Sequence, residues 1–347
     1  MRGVRPARRL GGFAARAVLL CAALLAGCAT APLPVAAPGE TPLARLEGVV
    51  ASNDKYVVYM PVAGDSYASL AKSFLGSESR QWEIADFNGP RIEPGKPLTI
   101  PLKTLNPTGV TADGYQVITI LCYHRVGPRV SRMVMAPDNF ASQLDYLAKN
   151  NYRVVRLADL PDFLSGKRPL PKRAIVITFD DGHVSAYEYA YPLLKKYGFP
   201  ATFFLYTDFL GAAEALSWPR IHEMAQSGLI DFQSHSKTHS NLSVRLPGET
   251  DARYRERLDA EVRVPRDLIQ RQLQNKVGLY AYPYGDANEI VIERLQAGEQ
   301  TLGATVNPGG NPFFAHPFML RRTMIFGEHD LNAFRNALQT FRDINLR

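Results

Sequence analysis

From residue 115 onward the apolar residues fall in short continuous runs. Residues 117–122, 152–155, 174–179, 201–205, 230–233, 277–282 and 302–306 are apolar strand candidates, most of them apolar on both faces. Between several of them the period lengthens to that of a helix. Phe140, Leu144 and Leu147 mark one helix, residues 187–196 a second that Gly198 stops, and residues 219–227 a third that Gly228 stops. Residues 251–275 are densely charged and read as an exposed helical excursion. Continuous apolar strands alternating with helices predict an α/β fold with a parallel sheet covered on its outside. The seven runs fit a (β/α) barrel or a depleted version of one, with an open doubly wound sheet as the alternative.

A smaller pattern precedes this one. Tyr56-Val57-Val58-Tyr59 alternates like a short strand. Gly64-Asp65-Ser66 opens a helix carrying Tyr67, Leu70, Ala71 and Phe74. A second helix carries Trp82, Ile84, Ala85 and Phe87, and a Pro-Gly-Lys-Pro turn leads into Leu98-Thr99-Ile100-Pro101. This predicts a small βααβ unit over residues 54–102. Residues 103–114, rich in Pro, Gly, Thr and Asn, read as a linker, which leaves 115–347 for the large domain. Residues 28–53, with Pro32, Pro34, Pro38 and Pro42, read as an extended tether.

The 347 residues are 46% hydrophobic and 21% charged, enough for one large core and a small extra unit. The formal charge of +7 is concentrated at the start, because Arg2, Arg5, Arg8, Arg9 and Arg16 lie within residues 1–27, which hold no acid. The remainder carries only +2 (7 less 5) and has no basic cluster, which argues against nucleic acid as a partner. The basic start is followed by an apolar run at residues 17–25, too short to span a bilayer, and residues 1–27 read as an export signal. That segment ends in Leu25-Ala26-Gly27-Cys28, which resembles the bacterial lipobox. The resemblance implies cleavage before Cys28 and a lipid anchor on it. Ala29 in the next position resembles the outer-membrane sorting pattern, so the expected location is the outer membrane, facing the periplasm. Cys21 would leave with the signal. Cys122, in an apolar strand, is expected to be inert core, with no intramolecular disulfide.

Functional groups of such a sheet gather at the C-terminal ends of its strands. Asp180, Asp181 and Gly182 follow the run 174–179. Adjacent carboxylates at the end of a buried strand are costly unless a cation or donors compensate them. Neighbouring residues leave a strand in different directions, so one carboxylate can bind a metal while the other faces a water; a helix cap in a turn is the plainer reading. The run that starts at Ile230 leads into His235-Ser236-Lys237-Thr238-His239, whose H-x3-H spacing is known among zinc ligands. Pro283-Tyr284-Gly285 after residue 282 is either a turn or the source of an aromatic wall and a backbone N–H.

Residues 178–182 read TFDDG, residues 235–239 HSKTH and residues 282–285 YPYG. In this order and spacing they resemble the polysaccharide deacetylase, or NodB-homology, family over about residues 115–310. LCYHRV at residues 121–126 resembles the opening strand of its poly-N-acetylglucosamine deacetylase branch. The resemblance implies a distorted (β/α) barrel and metal-assisted hydrolysis of an amide or ester. It implies Asp180 as general base, Asp181, His235 and His239 as metal ligands, and Tyr284, after Pro283, as the donor of a backbone N–H to the oxyanion. His124 would lie in the same pocket as a candidate proton donor. Zn²⁺ suits this donor set best, and Co²⁺, Ni²⁺ or Fe²⁺ would also fit. The words GDS, IADFNG and PGKPLTIP in residues 54–102 resemble the LysM domain, which implies binding to N-acetylglucosamine chains.

Ala281 departs from the family, many of whose members carry there an arginine that orients the base; Arg321 or Arg322 is the expected substitute from another strand. His316 and His329 are the candidates for a late family histidine, Trp218 reads as core, and residues 307–311 read as a rim loop. The leading expectation is an N-deacetylase for peptidoglycan or a poly-N-acetylglucosamine exopolysaccharide. The alternatives are a non-catalytic, wall-binding lipoprotein with a decayed barrel, for which Ala281 speaks, and a peptidoglycan peptidase or amidase, against which TFDDG speaks.

Overall fold

The computed structural model describes residues 47–344. The export signal, Cys28 and the tether up to residue 46 lie outside the described residues.

The small unit is a three-stranded antiparallel sheet, Val49–Ser52, Tyr56–Tyr59 and Leu98–Pro101 in that order, with helices Tyr67–Leu75 and Gln81–Asn88 between the second and third strands. Val57, Leu70, Ile84 and Ile100 form its buried centre. Ser66 caps the first helix by accepting from the Ser69 N–H. The strand Val49–Ser52 corrects the expected tether boundary at residue 53 and turns βααβ into ββααβ. It is an edge strand with exposed or half-exposed side chains, so it leaves no burial signature in the sequence.

The large domain holds a curled sheet. Its parallel strands run in the order Leu302–Ala304, Leu279–Ala281, Ile230–Ser234, Ala201–Leu205, Ala174–Phe179 and Ile118–Tyr123. Arg153–Val154 pairs with the start of Ala174–Phe179. The extended residues 320–325 span the gap between the two edges: Leu320 bridges Ala304, and Thr323 and Met324 pair with Leu121 and Cys122. The core lies on both faces of the central strands, with Ile175, Ile177, Phe179, Phe203 and Phe232 on one face and Val176 and Phe204 on the other.

Two expectations need correction. The end of the expected linker is ordered, because Val110–Thr111 and Gly114–Gln116 form a hairpin that pairs with Phe341–Asp343. Its polar turn gave it the composition of a linker. The helix Asp251–Leu273 is exposed on one side only. Tyr254, Leu258, Val262 and Ile269 are buried at helical spacing, and the first three pack against Tyr280, Tyr282, Val291 and Leu295. Charged residues outnumber that apolar stripe and mask it.

The small unit meets the large domain at the start of the sheet strands. The Lys172 N–H donates to Asp86 Oδ2 at 2.9 Å and its Nζ to the Asp86 carbonyl at 2.7 Å, two residues before Ala174–Phe179 begins.

Candidate active site

The far ends of the same strands carry the polar cluster. Asp180 continues the ladder, its N–H donating to the Tyr123 carbonyl at 3.0 Å. Asp181 then takes a left-handed conformation (φ 75°), and so does Gly182 (φ 80°), where a Cβ would lie 2.7 Å from Leu205 Cδ2. This sharp reversal sends the two carboxylates in different directions.

Asp181 faces the histidines. Its Oδ1 lies 3.7 Å from His235 Nε2 and 3.4 Å from His239 Nε2, and one potential ligand atom from each of the three residues falls within 4.8 Å of the others. His235 is buried, and its Nδ1 is 2.7 Å from the Ala281 carbonyl. An Nδ1–H donated there leaves Nε2 with its lone pair toward Asp181. Two imidazole nitrogens and a carboxylate oxygen around one gap fit a divalent cation with positions left for other ligands. His183, which belongs to none of the motif words, adds a brace: its Nε2 is 3.5 Å from Asp181 Oδ2, and its ring packs on Phe209.

Asp180 faces Arg322. The guanidinium makes a two-pronged contact, Nη1 to Oδ1 at 2.6 Å and Nη2 to Oδ2 at 2.8 Å, with both side chains almost wholly buried. The Thr305 carbonyl accepts from Arg322 Nε at 2.9 Å and holds the fork in place. Burial alone would raise the Asp180 carboxyl, but the Arg322 charge, His235 and the Arg322 hydrogen bonds outweigh it and hold the group well below the usual carboxylate range. Of the two arginines left open by the sequence, Arg322 is the one that meets Asp180. Arg321 points elsewhere, its Nη1 donating to the Pro308 carbonyl. Asn311, expected on a rim loop, is instead a buried brace: its Nδ2 donates to the Ile118 and Arg321 carbonyls and its Oδ1 accepts from the Arg321 N–H.

Cys122 is core, as expected, but it is more than packing. Its thiol lies 3.4 Å from Asp180 Oδ2, and burial pushes it up and keeps it a neutral donor. His124 follows the first strand of the sheet. Burial lowers its imidazole, while the charges of Asp180 and Asp181 pull the other way. His316 and His329 each accept from a nearby backbone N–H, of Phe318 and Phe326, and neither joins the Asp-His-His group. Trp218 packs against the main core.

Tyr284 has φ 62° within the turn Pro283–Gly285. A Cβ at Gly285 would lie 2.4 Å from Val306 Cγ2, so the turn requires glycine there. The exposed Tyr284 ring stands 5.0 Å from the His239 ring. Tyr206 stands 5.1 Å from His239 and adds a second aromatic wall. Its only sequence signal was its place directly after a strand.

Residues 167–302 match the family model described as Polysaccharide deacetylase. Over that span the chain is similar to the polysaccharide deacetylases. The matched span contains Asp180, Asp181, His235, His239, Pro283 and Tyr284, while His124 and Arg322 lie outside it. The chain is 30% identical over 195 residues to YxkH of Bacillus subtilis (strain 168), a polysaccharide deacetylase by name, covering 55% of this chain and 65% of that one. It is 27% identical over 188 residues to the poly-beta-1,6-N-acetyl-D-glucosamine N-deacetylase of Escherichia coli (strain K12), covering 44% of this chain and 28% of that one. It thus spans less than two thirds of the length of these curated relatives. The solved structure of Streptococcus pyogenes deacetylase PplD in complex with acetate superposes with a TM-score of 0.59 at 25% identity, covering 65% of this chain and 99% of that one.

Proposed function

We propose that the chain is a divalent-metal-dependent hydrolase that removes N-acetyl groups from an N-acetylglucosamine polysaccharide. The observation that carries this reading is the split of the carboxylate pair: Asp181 faces His235 and His239, while Asp180 is held ionised by Arg322. Asp181, His235 and His239 would hold the ion, and Zn²⁺ suits them best. When bound, such an ion supplies Lewis acidity, which polarises an acyl oxygen and acidifies a water.

The chain's own residues do the rest. Asp180, kept as a carboxylate in a buried site, takes a proton from the attacking water, a step typically worth ~10²–10⁴ in rate. Its Oδ2 lies 3.8 Å from His235 Nε2, so it borders the same gap as the three ligands. The Tyr284 N–H, presented by the turn that Pro283 starts, donates to the oxyanion. The leaving nitrogen gains its proton from Asp180 or from His124.

The E. coli relative's name supports a poly-N-acetylglucosamine substrate. The small unit's LysM-like words favour peptidoglycan. We assign that unit the role of holding glycan at the base of the sheet, and Cys28 the role of a lipid anchor on the outer membrane, facing the periplasm. The wall-binding alternative rested on Ala281, and Arg322 now answers that objection. The deciding experiment compares acetate release from purified peptidoglycan and from poly-β-1,6-N-acetylglucosamine, with and without a chelator. Acetate from either substrate, lost with chelator and restored by Zn²⁺, is expected. A metal-loaded protein that frees no acetate from any N-acetylated glycan sinks the proposal.

A further inference from the structure

We infer that Glu261 is a positioning residue that clasps the loop between the two metal-binding histidines and fixes the aim of His239. This rests on the metal-centre reading above and concerns a residue in no recognised motif.

Glu261 sits on the helix Asp251–Leu273, beside Leu258 and Val262 on its buried stripe, and is only 4% exposed. An apolar side chain would pack at such a position without the cost of burying a charge. Among the described residues, the carboxylate's hydrogen bonds go to one segment. Its Oε2 accepts from the Lys237 N–H at 2.9 Å and the Thr238 N–H at 3.0 Å, and its Oε1 from the Thr238 hydroxyl at 2.7 Å. These two residues lie in the segment that joins His235 to His239.

That segment is strained. Ser236 (φ 80°) and His239 (φ 61°) both occupy the left-handed region that favours glycine. Such conformations persist where the surroundings over-determine them. Ser236 Oγ accepts from the His239 N–H at 2.8 Å, and the Asp208 N–H donates to the Lys237 carbonyl at 2.9 Å from the other side. Glu261 supplies the charged anchor of this set, taking both central N–H groups. Without it those amides have no acceptor among the described residues, the loop relaxes toward ordinary backbone angles, and His239 Nε2 leaves its place 3.4 Å from Asp181 Oδ1. The long helix thereby becomes part of the machinery that presents the ligands.

The test uses the whole chain stripped of metal and titrated with Zn²⁺, and with Co²⁺ as a spectroscopic probe. Glu261→Ala is expected to weaken Zn²⁺ affinity by ~10–100-fold, the usual effect of removing an outer partner of a metal ligand, and to alter the Co²⁺ absorption spectrum. Glu261→Gln, which keeps one acceptor, should fall between wild type and Glu261→Ala. Asp267→Ala, which removes an exposed charge on the same helix, should bind like wild type. Urea midpoints of the metal-free proteins report folding, and Glu261→Gln carries the test if Glu261→Ala does not fold. Wild-type affinity and spectrum in either folded Glu261 variant overturn the inference alone. A wild type that takes up no divalent ion overturns the metal-centre reading and the inference with it.

Discussion

Asp180 and Asp231 are carboxylates on neighbouring parts of one sheet, and their environments drive them in opposite directions. Asp180, at the C-terminal end of its strand, is fully buried yet held ionised by the Arg322 fork. Asp231 lies near the start of the strand Ile230–Ser234. Burial pushes its carboxyl up to about 6, and the Gln233 amide at 3.0 Å and the charge of Arg156 only partly oppose that rise. Burial acts on both groups with the same sign; the partner decides the outcome. A fixed guanidinium holds Asp180 ionised at the C-terminal end of the strands, whereas an amide leaves Asp231, near the start of its strand, keeping its proton up to about pH 6.

The sharpest way to break this contrast is Asp180→Asn. It should lower kcat for deacetylation by ~10²–10⁴ while Zn²⁺ uptake, measured by titration, stays within a few-fold of wild type. Undiminished turnover would remove Asp180 from the mechanism. Arg322→Ala attacks the same pair from the other side and leaves Asp180 buried without its partner. It should cost about 3–5 kcal/mol in urea unfolding, with Arg322→Lys intermediate because it restores the charge but not the fork.

Asp231 offers the converse test. Its folded pKa lies above the ordinary value of 3.8, so the folded chain holds the proton more tightly. That stabilisation is complete below about pH 4 and is lost as pH rises through about 6. Asp231→Asn should therefore be nearly neutral at pH 4 and stabilising by about 1–3 kcal/mol at pH 8, read from paired denaturation curves. Equal effects at both pH values would contradict the burial argument. The smallest expected effect belongs to Tyr284→Gly, which keeps the backbone N–H and suits the left-handed turn. It should raise KM a few-fold through loss of the ring and leave kcat nearly unchanged; a large fall in kcat would mean that the phenol itself enters the chemistry.

Much of the sheet was legible because its strands are apolar on both faces. The runs 174–179 and 201–205 coincide with observed strands, and the motif words placed Asp180, Asp181, His235 and His239 at strand ends. What escaped lacked a local pattern. Residues 320–325 form no apolar run, so the choice between Arg321 and Arg322 needed the pairing that turns one inward and the other outward. Glu261 was hidden because the charges of its helix conceal the stripe of Tyr254, Leu258 and Val262. Val49–Ser52 and the hairpin before residue 117 are short, exposed or turn-rich, and composition reads such segments as linkers.

The strip of chain that stitches the sheet edges also delivers Arg322 to a carboxylate 142 positions earlier. On the function proposed here, readiness for catalysis is therefore a property of the completed fold, gained only after the far end of the domain has returned to its beginning. A chain interrupted before that return could still carry Asp181, His235 and His239, yet Asp180 would lack the counter-charge that keeps it deprotonated.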